Sequence, residues 1–262
     1  MRQILTIARI VLLEMLRRKD VYVMLILMGA LLLGISSLNI FGLGGMPGYV
    51  KEIGLLMVWF CAWFLTVNYA ARQLPREEME GTIFILLSKP VTRWQLLFGK
   101  WLGAWAGGLA ASLWLHVVLA VVLALRGGFF TGAVFIQYGL LQAAFLSVLA
   151  AMGVMFSTRM NYDAAAALTY VLSLGAYFLA PRIPELAVYA SGVRRDLLLA
   201  LYFALPHLEL FDLRLRLAHS RPPADWGAAG MILAYGVVLT SLLLSIAWLL
   251  YRNKRFSRAA RI

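Results

Sequence analysis

The chain is 262 residues long; 63% of its residues are hydrophobic, only 14% are charged, and its formal net charge is +12. A soluble domain of this size could not bury so much apolar surface, so the composition excludes an ordinary soluble enzyme and predicts an integral membrane protein. The single cysteine, Cys61, excludes a disulfide within one chain and a cysteine-based metal cluster.

The first 20 residues have the pattern of an amphipathic helix. Arg2, Arg9 and Arg17 gather on one half of a helical wheel, while Val11 and Met15 belong to the apolar half. Such a helix is expected to lie in the membrane interface with its apolar face in lipid, so we predict an interfacial elbow helix over residues 1–20. No apolar segment followed by a small-residue cleavage site opens the chain, and we therefore expect no removable signal peptide.

Six apolar segments have the length that a helix needs to cross about 30 Å of hydrocarbon. They predict an all-α polytopic membrane protein, in which residues 21–262 form a single six-helix transmembrane domain. The segments are 21–40, 54–71, 96–125, 133–156, 164–180 and 227–251.

Lys and Arg are distributed unevenly between the two sides that six spans would define. If both termini are cytoplasmic, the inner segments carry 16 of the 24 positive residues, and the short outer loops carry only Lys51 and Arg126. Positive residues near span ends are retained on the cytoplasmic side, so both termini are predicted to lie there. The net charge then reflects topology and contact with anionic lipid of the bilayer, with no nucleic acid as a partner.

Residues 72–95 are predicted to form a cytoplasmic loop that contains a short helix of its own. Pro75 suits the first position of a helix, and acidic side chains follow in the opening turns, where they favour the helix dipole. Thr92 and Gln95 have the spacing of a capping box, and Val91 and Leu96 are placed as a hydrophobic staple. The third span is therefore predicted to begin at a fixed place, so a force applied to the loop would reach that span.

The third span carries Gly99, Gly103 and Gly107 at intervals of four residues. A ridge of small residues lets another helix approach the backbone closely. The ridge predicts helix packing, either within one bundle or as a sliding surface or dimer seam.

Four polar side chains fall inside predicted spans: Asn68, His116, Gln137 and Gln142. Polar groups at membrane depth are costly unless they face the bundle interior or a cavity. All four are candidates for a translocation path. For His116, Gln137 and Gln142, a hydrogen bond to a neighbouring helix is the favoured prediction. His116 could also relay protons, although the sequence offers no carboxylate at that depth.

Residues 181–226 are long for a loop and are predicted to form an outer cap of short or re-entrant helices. The apolar stretch 197–205 is too short to cross as a helix, and counting it as a span would place Arg194 and Arg195 at depth. His207 and His219 occur here without a tight carboxylate cluster, so no metal site is predicted.

The loop carries a series of residues that resembles the signature loop of ABC-2 type transporter permeases. The series is Glu80, Gly81, Thr82, Leu86, Leu87, Ser88, Pro90, Arg93, Gly99 and Lys100. The stretch 205–211, and Phe256, Ser257 and Arg258 after the last span, are similar to one bacterial branch of that family. This branch includes permeases of nitrous-oxide reductase maturation and of gliding motility.

The resemblance implies an ABC-2 (type V) exporter-like fold, in which this chain is a non-catalytic permease subunit. It implies a cytosolic ABC ATPase subunit dimer that binds ATP and magnesium, so no cofactor is expected in this chain. It also implies a second permease copy, identical or closely similar, in the bacterial cytoplasmic (inner) membrane, with further envelope proteins as candidate partners. The loop would be the coupling element that contacts the ATPase. Its implied contact residues are Glu77, Glu78, Met79, Glu80, Gly81, Thr82, Ile83, Leu86, Leu87, Ser88, Lys89, Pro90 and Arg93.

The chain contains no G-x-x-x-x-G-K-[ST] phosphate loop, which agrees with an energy source in another chain. The alternative is an ATPase-independent transporter or channel, or a membrane-embedded enzyme. A serine protease is disfavoured because Ser112, one turn before His116, lacks flanking glycines. An ion-coupled transporter is disfavoured because the predicted spans offer no buried acidic pair.

Overall fold

The computed structural model describes residues 2–17, 19–37, 47–81, 91–125 and 127–254, and these ranges contain helices and no strand. The long helices are α1 (Arg2–Leu16), α2 (Lys19–Ser37), α3 (Pro47–Glu80), α4 (Arg93–Leu125), α5 (Gly132–Ser157), α6 (Tyr162–Leu179) and α10 (Trp226–Arg252). Between α6 and α10 lie α7 (Ile183–Val188), α8 (Val193–Ala204) and α9 (Arg214–Ala218), with 3-10 turns at Ala180–Arg182 and Leu208–Phe211.

Five of the described helical segments are long and apolar enough to cross a membrane. They are Gly48–Glu80, Arg93–Leu125, Gly132–Ser157, Tyr162–Val188 and Trp226–Arg252. The prediction of an all-helical, multi-pass chain is therefore confirmed. The predicted first span, 21–40, overlaps α2, which is not among the five, and residues 38–40 lie outside the described ranges. The span at 21–40, which would be the sixth, therefore stays a prediction.

The helix α3 is longer than the sequence indicated, because it continues unbroken for 34 residues and contains Pro75. The prediction that a separate short helix begins at Pro75 is wrong. An internal proline removes one backbone hydrogen bond and crowds the preceding turn, which costs about 3 kcal/mol. Ion pairs from the residues after Pro75 to neighbouring segments hold the last turn in helical form.

The helix α5 is the centre of the bundle and packs against α3, α4, α6 and α10. Phe145, in its middle, stacks on Trp59 of α3 with ring centroids 4.9 Å apart, and meets Trp63 edge to face at 5.3 Å. All three side chains are almost completely buried. Aromatic contacts of this kind stabilise by about 0.5–1.5 kcal/mol beyond the burial of area, so they fix α3 against α5.

The helix α1 lies alongside α4 and runs in the same direction, because Ile7, Val11 and Met15 meet successive turns of α4. These three side chains are buried in this contact. The expectation that the apolar face of this segment lies in lipid is therefore wrong for the buried residues, since the small side chains of α4 leave a groove that α1 fills. An interfacial elbow over residues 1–20 stays a prediction.

The two ends of the bundle differ, and we name them for what lies there. At the loop end, α3 finishes, α4 begins and α10 finishes. At the cap end lie α7, α8 and α9, so residues 181–226 fold into short helices as predicted. The longest of them, α8, has no buried side chain. Its 12 residues are too few to cross a bilayer as a helix. That the cap faces outward stays a prediction.

Candidate coupling site

The loop end is held together by side chains of the last turns of α3, each of which reaches a different segment. Glu77 forms an ion pair with Lys100 of α4, and Gln73 accepts a hydrogen bond from the same ammonium at 3.2 Å. Lys100 is only 2% exposed. Burying an ammonium group is costly unless a partner compensates its charge, so this contact fixes α3 to α4.

Glu78, the next residue, forms an ion pair with Lys254, which is the second residue after the end of α10. The ammonium of Lys254 donates to both carboxylate oxygens at 2.7 and 2.8 Å, and also to the backbone oxygen of Thr158 at 2.8 Å. Thr158 lies between α5 and α6. One lysine therefore joins α3, α10 and the connection between α5 and α6.

Arg76 completes the set with contacts to α1. It forms ion pairs with Glu14 of α1 and, at 2.6 Å, with Glu80 one turn further along α3. These side chains are roughly 40–50% exposed, so solvent screens the pairs and each contributes little stability alone. Their geometric effect is to place the end of α3 beside α1.

On the other side of the loop, Arg93 caps α10. Its Nη1 donates to the backbone oxygens of Tyr251 and Arg252 at 2.7 and 2.6 Å. The last carbonyls of a helix have no partner within it, and a positive side chain there also favours the helix dipole. The first residue of α4 is therefore tied to the last turn of α10.

The predicted capping box at the start of α4 is confirmed. The backbone N–H of Thr92 donates to Gln95 Oε1 at 3.0 Å, and the N–H of Gln95 donates to Thr92 Oγ1 at 3.3 Å. Val91 and Leu96 join the same hydrophobic cluster, as a staple requires. The chain therefore enters α4 through a capped, ordered helix start.

We call the contacts just described the loop-end frame. They join α1, α3, α4, α10 and the α5–α6 connection around both ends of the loop. Its residues are Glu14, Gln73, Arg76, Glu77, Glu78, Glu80, Arg93, Lys100, Thr158 and Lys254.

The structure describes six of the residues predicted to contact an ATPase. Glu77, Glu78, Glu80 and Arg93 are engaged within the frame, while Met79 is 78% exposed. Gly81, with φ of +71°, ends α3 in a left-handed conformation that suits glycine. The remaining residues lie outside the described ranges: Thr82, Ile83, Leu86, Leu87, Ser88, Lys89 and Pro90. Phe256, Ser257 and Arg258 also lie outside them.

The glycine ridge of α4 packs against α1 of the same chain. A Cβ built on Gly99 would come within 2.8 Å of Ile7 Cβ, and one on Gly103 within 2.5 Å of Val11 Cβ. One on Gly107 would meet the Met15 sulfur at 2.2 Å. Real Cβ atoms do not approach so closely, so α1 can seat on α4 only because these positions are glycines. Of the two readings of the ridge, the structure supports the packing one.

Asn68 and Gln137 are tied into the bundle by hydrogen bonds. Asn68 of α3 donates to the hydroxyl of Tyr170 at 2.6 Å and accepts from that of Tyr162 at 2.5 Å, so it joins α3 to α6. Gln137 exchanges two hydrogen bonds with the backbone of Ala224, at 2.8 and 2.9 Å. Its partner is thus the connection before α10, and the prediction of a helix as partner is wrong.

His116 and Gln142 are buried in α4 and α5. The Nδ1–H of His116 donates to the backbone oxygen of Ser112 on its own helix at 2.8 Å, and its ring packs against Phe135 and Tyr138. The predicted bond to a neighbouring helix is absent among the described residues. Gln142 Nε2 likewise has no acceptor in the described part of the chain. A translocation path along these four residues stays a prediction.

A second polar cluster, which the sequence analysis missed, lies at the cap end. Arg214 bonds Asp212 through Nε at 2.9 Å and Nη2 at 2.7 Å, and its guanidinium lies 4.1 Å from the Trp59 ring. Burial alone would raise the pKa of Asp212, but the hydrogen bonds and charge of Arg214 outweigh it and lower that pKa. The two charges thus compensate each other. No sequence pattern indicated this cluster, because Asp212 and Arg214 lie in a polar connection and the Trp59 ring that covers Arg214 belongs to α3.

No group of three metal-ligating side chains occurs in the described ranges. His207 contacts Glu209 at 3.1 Å, and His219 bonds the backbone oxygen of Leu215 at 3.0 Å. Both histidines of the cap are therefore engaged in local contacts, and neither geometry indicates a metal centre.

Comparison with known families gives a match to the model described as ABC-2 family transporter protein, over residues 64–251. The matched range runs from the middle of α3 to the last turn of α10 and includes both sides of the loop end. Comparison with curated proteins gives no match.

Proposed function

We propose that this chain, which belongs to the ABC-2 family of transporter proteins, is the non-catalytic permease subunit of an exporter driven by a separate ABC ATPase subunit. The ATPase subunits would form a dimer that binds ATP and magnesium. The proposed contact is the exposed end of α3 together with residues 82–90.

The observation that carries this proposal is the loop-end frame. Glu78 lies before residues 82–90 and Arg93 lies after them, and both bind residues at or just after the end of α10. Lys100, which lies in the first turns of α4, is bound to Glu77 of α3. A load applied to the loop would therefore act on α3, α4 and α10 together, because the contacts between them would have to break before any one helix moved alone.

The proposed mechanism follows from that arrangement. Closure of an ATPase dimer would push the exposed end of α3, and the frame would pass the displacement to α4 and α10 as tilting of whole helices. At about 1.5 Å per residue, α3 is roughly 50 Å long, well beyond the ~30 Å hydrocarbon thickness, so it can extend out of the membrane at the loop end. Tilting of long helices would change the side on which a path between two permease copies is open.

The finer features of the assembly are part of the same proposal. We place the chain in a bacterial cytoplasmic membrane with both termini and the loop end on the cytoplasmic side, and pair it with a second, identical or similar copy. The excess of positive residues on that side supports the orientation. The branch linked to nitrous-oxide reductase maturation and gliding motility is the proposed place within the family, with envelope proteins as further partners.

Co-purification tests the proposal. The chain is expressed with the ABC ATPase encoded nearest to it, and Met79→Asp is compared with Val193→Asp. These two side chains are 78% and 75% exposed, at the loop end and at the cap end respectively, so neither change disturbs a core. We expect Met79→Asp to lower ATPase recovery at least about tenfold, as loss of a central interface contact does, and Val193→Asp to leave it unchanged.

Full recovery of the ATPase with Met79→Asp would refute docking at the end of α3. A chain that transports in vesicles with no ATPase present would refute the proposed function as a whole and favour the ATPase-independent transporter.

A further inference from the structure

A cavity of about 420 Å³ opens at the cap end between the start of α3, the end of α6 and α9. Its size falls in the range of sites that hold a small ligand or a lipid headgroup. The residues that matter for its chemistry are Tyr49, Glu52, Leu56, Tyr177, Arg214 and Leu215. The loop-end frame lies at the opposite end of α3, so the cavity is separate from the proposed ATPase contact.

One wall of the cavity is a fixed, neutral polar group. Asp212 accepts hydrogen bonds from Arg214 and, at 2.5 Å, from the hydroxyl of Tyr177, while Arg214 stacks on Trp59. The carboxylate of Asp212 is thus already compensated by the guanidinium. This wall gives the cavity shape and polarity without leaving a net charge.

Glu52 supplies the net charge of the cavity. It is exposed and makes no ion pair or hydrogen bond with the described part of the chain. The ammonium of the neighbouring Lys51 donates instead to Ser220 Oγ at 3.3 Å. A carboxylate that has no cationic partner among the described residues, beside the rings of Tyr49 and Tyr177, suits a ligand with a protonated amine, which gains a charge-assisted hydrogen bond and contact with aromatic faces.

The cavity continues into an apolar track along α3. Leu56, which lines the cavity, is followed at intervals of four residues by Phe60 and Phe64. These side chains are 42%, 40% and 47% exposed, and Glu52 lies one turn before Leu56 on the same face. A charged group at one end of a track that runs along a spanning helix matches a molecule with an amine headgroup and acyl chains.

We propose that this cavity and track bind a membrane lipid whose headgroup carries a primary amine. The ammonium pairs with Glu52, and an acyl chain lies against Leu56, Phe60 and Phe64. The inference does not depend on the proposed ATPase partner, and it holds whichever side of the membrane the cap faces.

Native mass spectrometry of the full-length chain in detergent tests the site. Dioleoyl phosphatidylethanolamine and dioleoyl phosphatidylglycerol are titrated separately, because they share acyl chains and differ in the amine. We expect tighter binding of the ethanolamine lipid to the wild type. The change Glu52→Gln should weaken that binding about tenfold, the effect of losing one charge-assisted hydrogen bond, and should leave phosphatidylglycerol binding unchanged.

Two further variants keep the test independent of folding. Glu185→Gln removes another exposed carboxylate of the cap and should not alter binding. Leu215→Trp places a large ring at the cavity from a side chain that is 59% exposed, so it should block the ethanolamine lipid without lowering the melting temperature. Soluble phosphoethanolamine separates headgroup binding from lipid binding, and we expect it to compete only weakly.

Three results would overturn the proposal. The first is equal binding of the ethanolamine lipid by the wild type and Glu52→Gln. The second is a preference for phosphatidylglycerol. The third is full competition by phosphoethanolamine at the lipid's own concentration, which would mean that the track takes no part. Exclusion of both lipids in a preparation where a second copy covers the track would assign the track to a dimer contact instead.

Discussion

The loop end and the cap end use charged residues in different ways. At the loop end, ion pairs join residues far apart in sequence, such as Glu78 with Lys254 and Arg76 with Glu14. At the cap end, Asp212 and Arg214 are two residues apart, and α8 has no buried side chain. Long-range ion pairs resist relative movement of helices, whereas the Asp212–Arg214 ion pair lies within one connection and contacts other helices through the Tyr177 hydroxyl and the Trp59 ring. The loop end is thus suited to transmit force, and the cap end is suited to present a surface.

The largest effect is expected when a buried lysine is replaced at each end. Lys100 at the loop end and Lys51 at the cap end are 2% and 7% exposed, but within the described ranges only Lys100 has a carboxylate partner. Lys100→Met removes the buried ammonium that pairs with the Glu77 carboxylate and should cost about 3–5 kcal/mol, or roughly 10 °C in melting temperature. Lys51→Met should be neutral or stabilising, because the lysine it replaces is poorly compensated. Thermal unfolding in detergent measures both.

Equal losses for the two lysine variants would remove the distinction between the ends. The double variant Lys100→Met with Glu77→Gln should recover part of the stability, because it also removes the carboxylate that paired with the Lys100 ammonium.

A smaller effect is expected from filling the groove between α1 and α4. Gly103→Ala places a methyl group 2.5 Å from Val11 Cβ and 3.1 Å from the backbone oxygen of Ala8. These atoms cannot rotate away, so α1 must shift, at a cost of about 1–3 kcal/mol. Gly139→Ala in α5 meets nothing within 4 Å and should be neutral or slightly stabilising. The two melting temperatures give the comparison.

Unchanged stability for Gly103→Ala would mean that α1 does not seat against α4. Proteolytic release of residues 1–17 from this variant, and not from Gly139→Ala, would instead locate the damage at the α1 contact.

The smallest effect concerns the local pair at the cap end. Because the pKa of Asp212 is lowered in the folded chain, its carboxylate favours folding above the ordinary pKa of 3.8 and loses that effect as the pH falls through the lower, folded value. Asp212→Asn should therefore cost about 1–2 kcal/mol at pH 7 and progressively less below pH ~4. Asp196→Asn, at an exposed carboxylate of α8, is the control. A stability gap between Asp212→Asn and the wild type that stays constant down to pH ~2 would contradict the assignment.

Local sequence signals predicted local structure well. The apolar segments gave five spans, and the spacing of Thr92 and Gln95 gave the start of α4, because such features depend on residues close in sequence. The glycine ridge also predicted close packing, but its partner, α1, could not be read from the spacing alone.

The predictions that failed concern features that depend on contacts between different helices of the bundle. Pro75 has the local preference of a helix start, yet it lies inside α3 because later residues of that helix pair with Lys100, Lys254 and Glu14. The acidic residues after Pro75 were interpreted as a contact surface for the ATPase. Two of them, Glu77 and Glu78, instead bind distant segments of the same chain. Arg214 was missed for the same reason, since Trp59 covers it from another helix.

Site-specific photo-crosslinking in cells tests whether an ATPase contacts the loop end. A photoreactive amino acid is placed at Met79 or, as the control, at Val193, and the chain is expressed with the neighbouring ABC ATPase. We expect an adduct with the mass of chain plus ATPase from position 79 and none from position 193. No ATPase adduct from position 79, or equal adducts from both positions, would contradict a permease driven through its loop end.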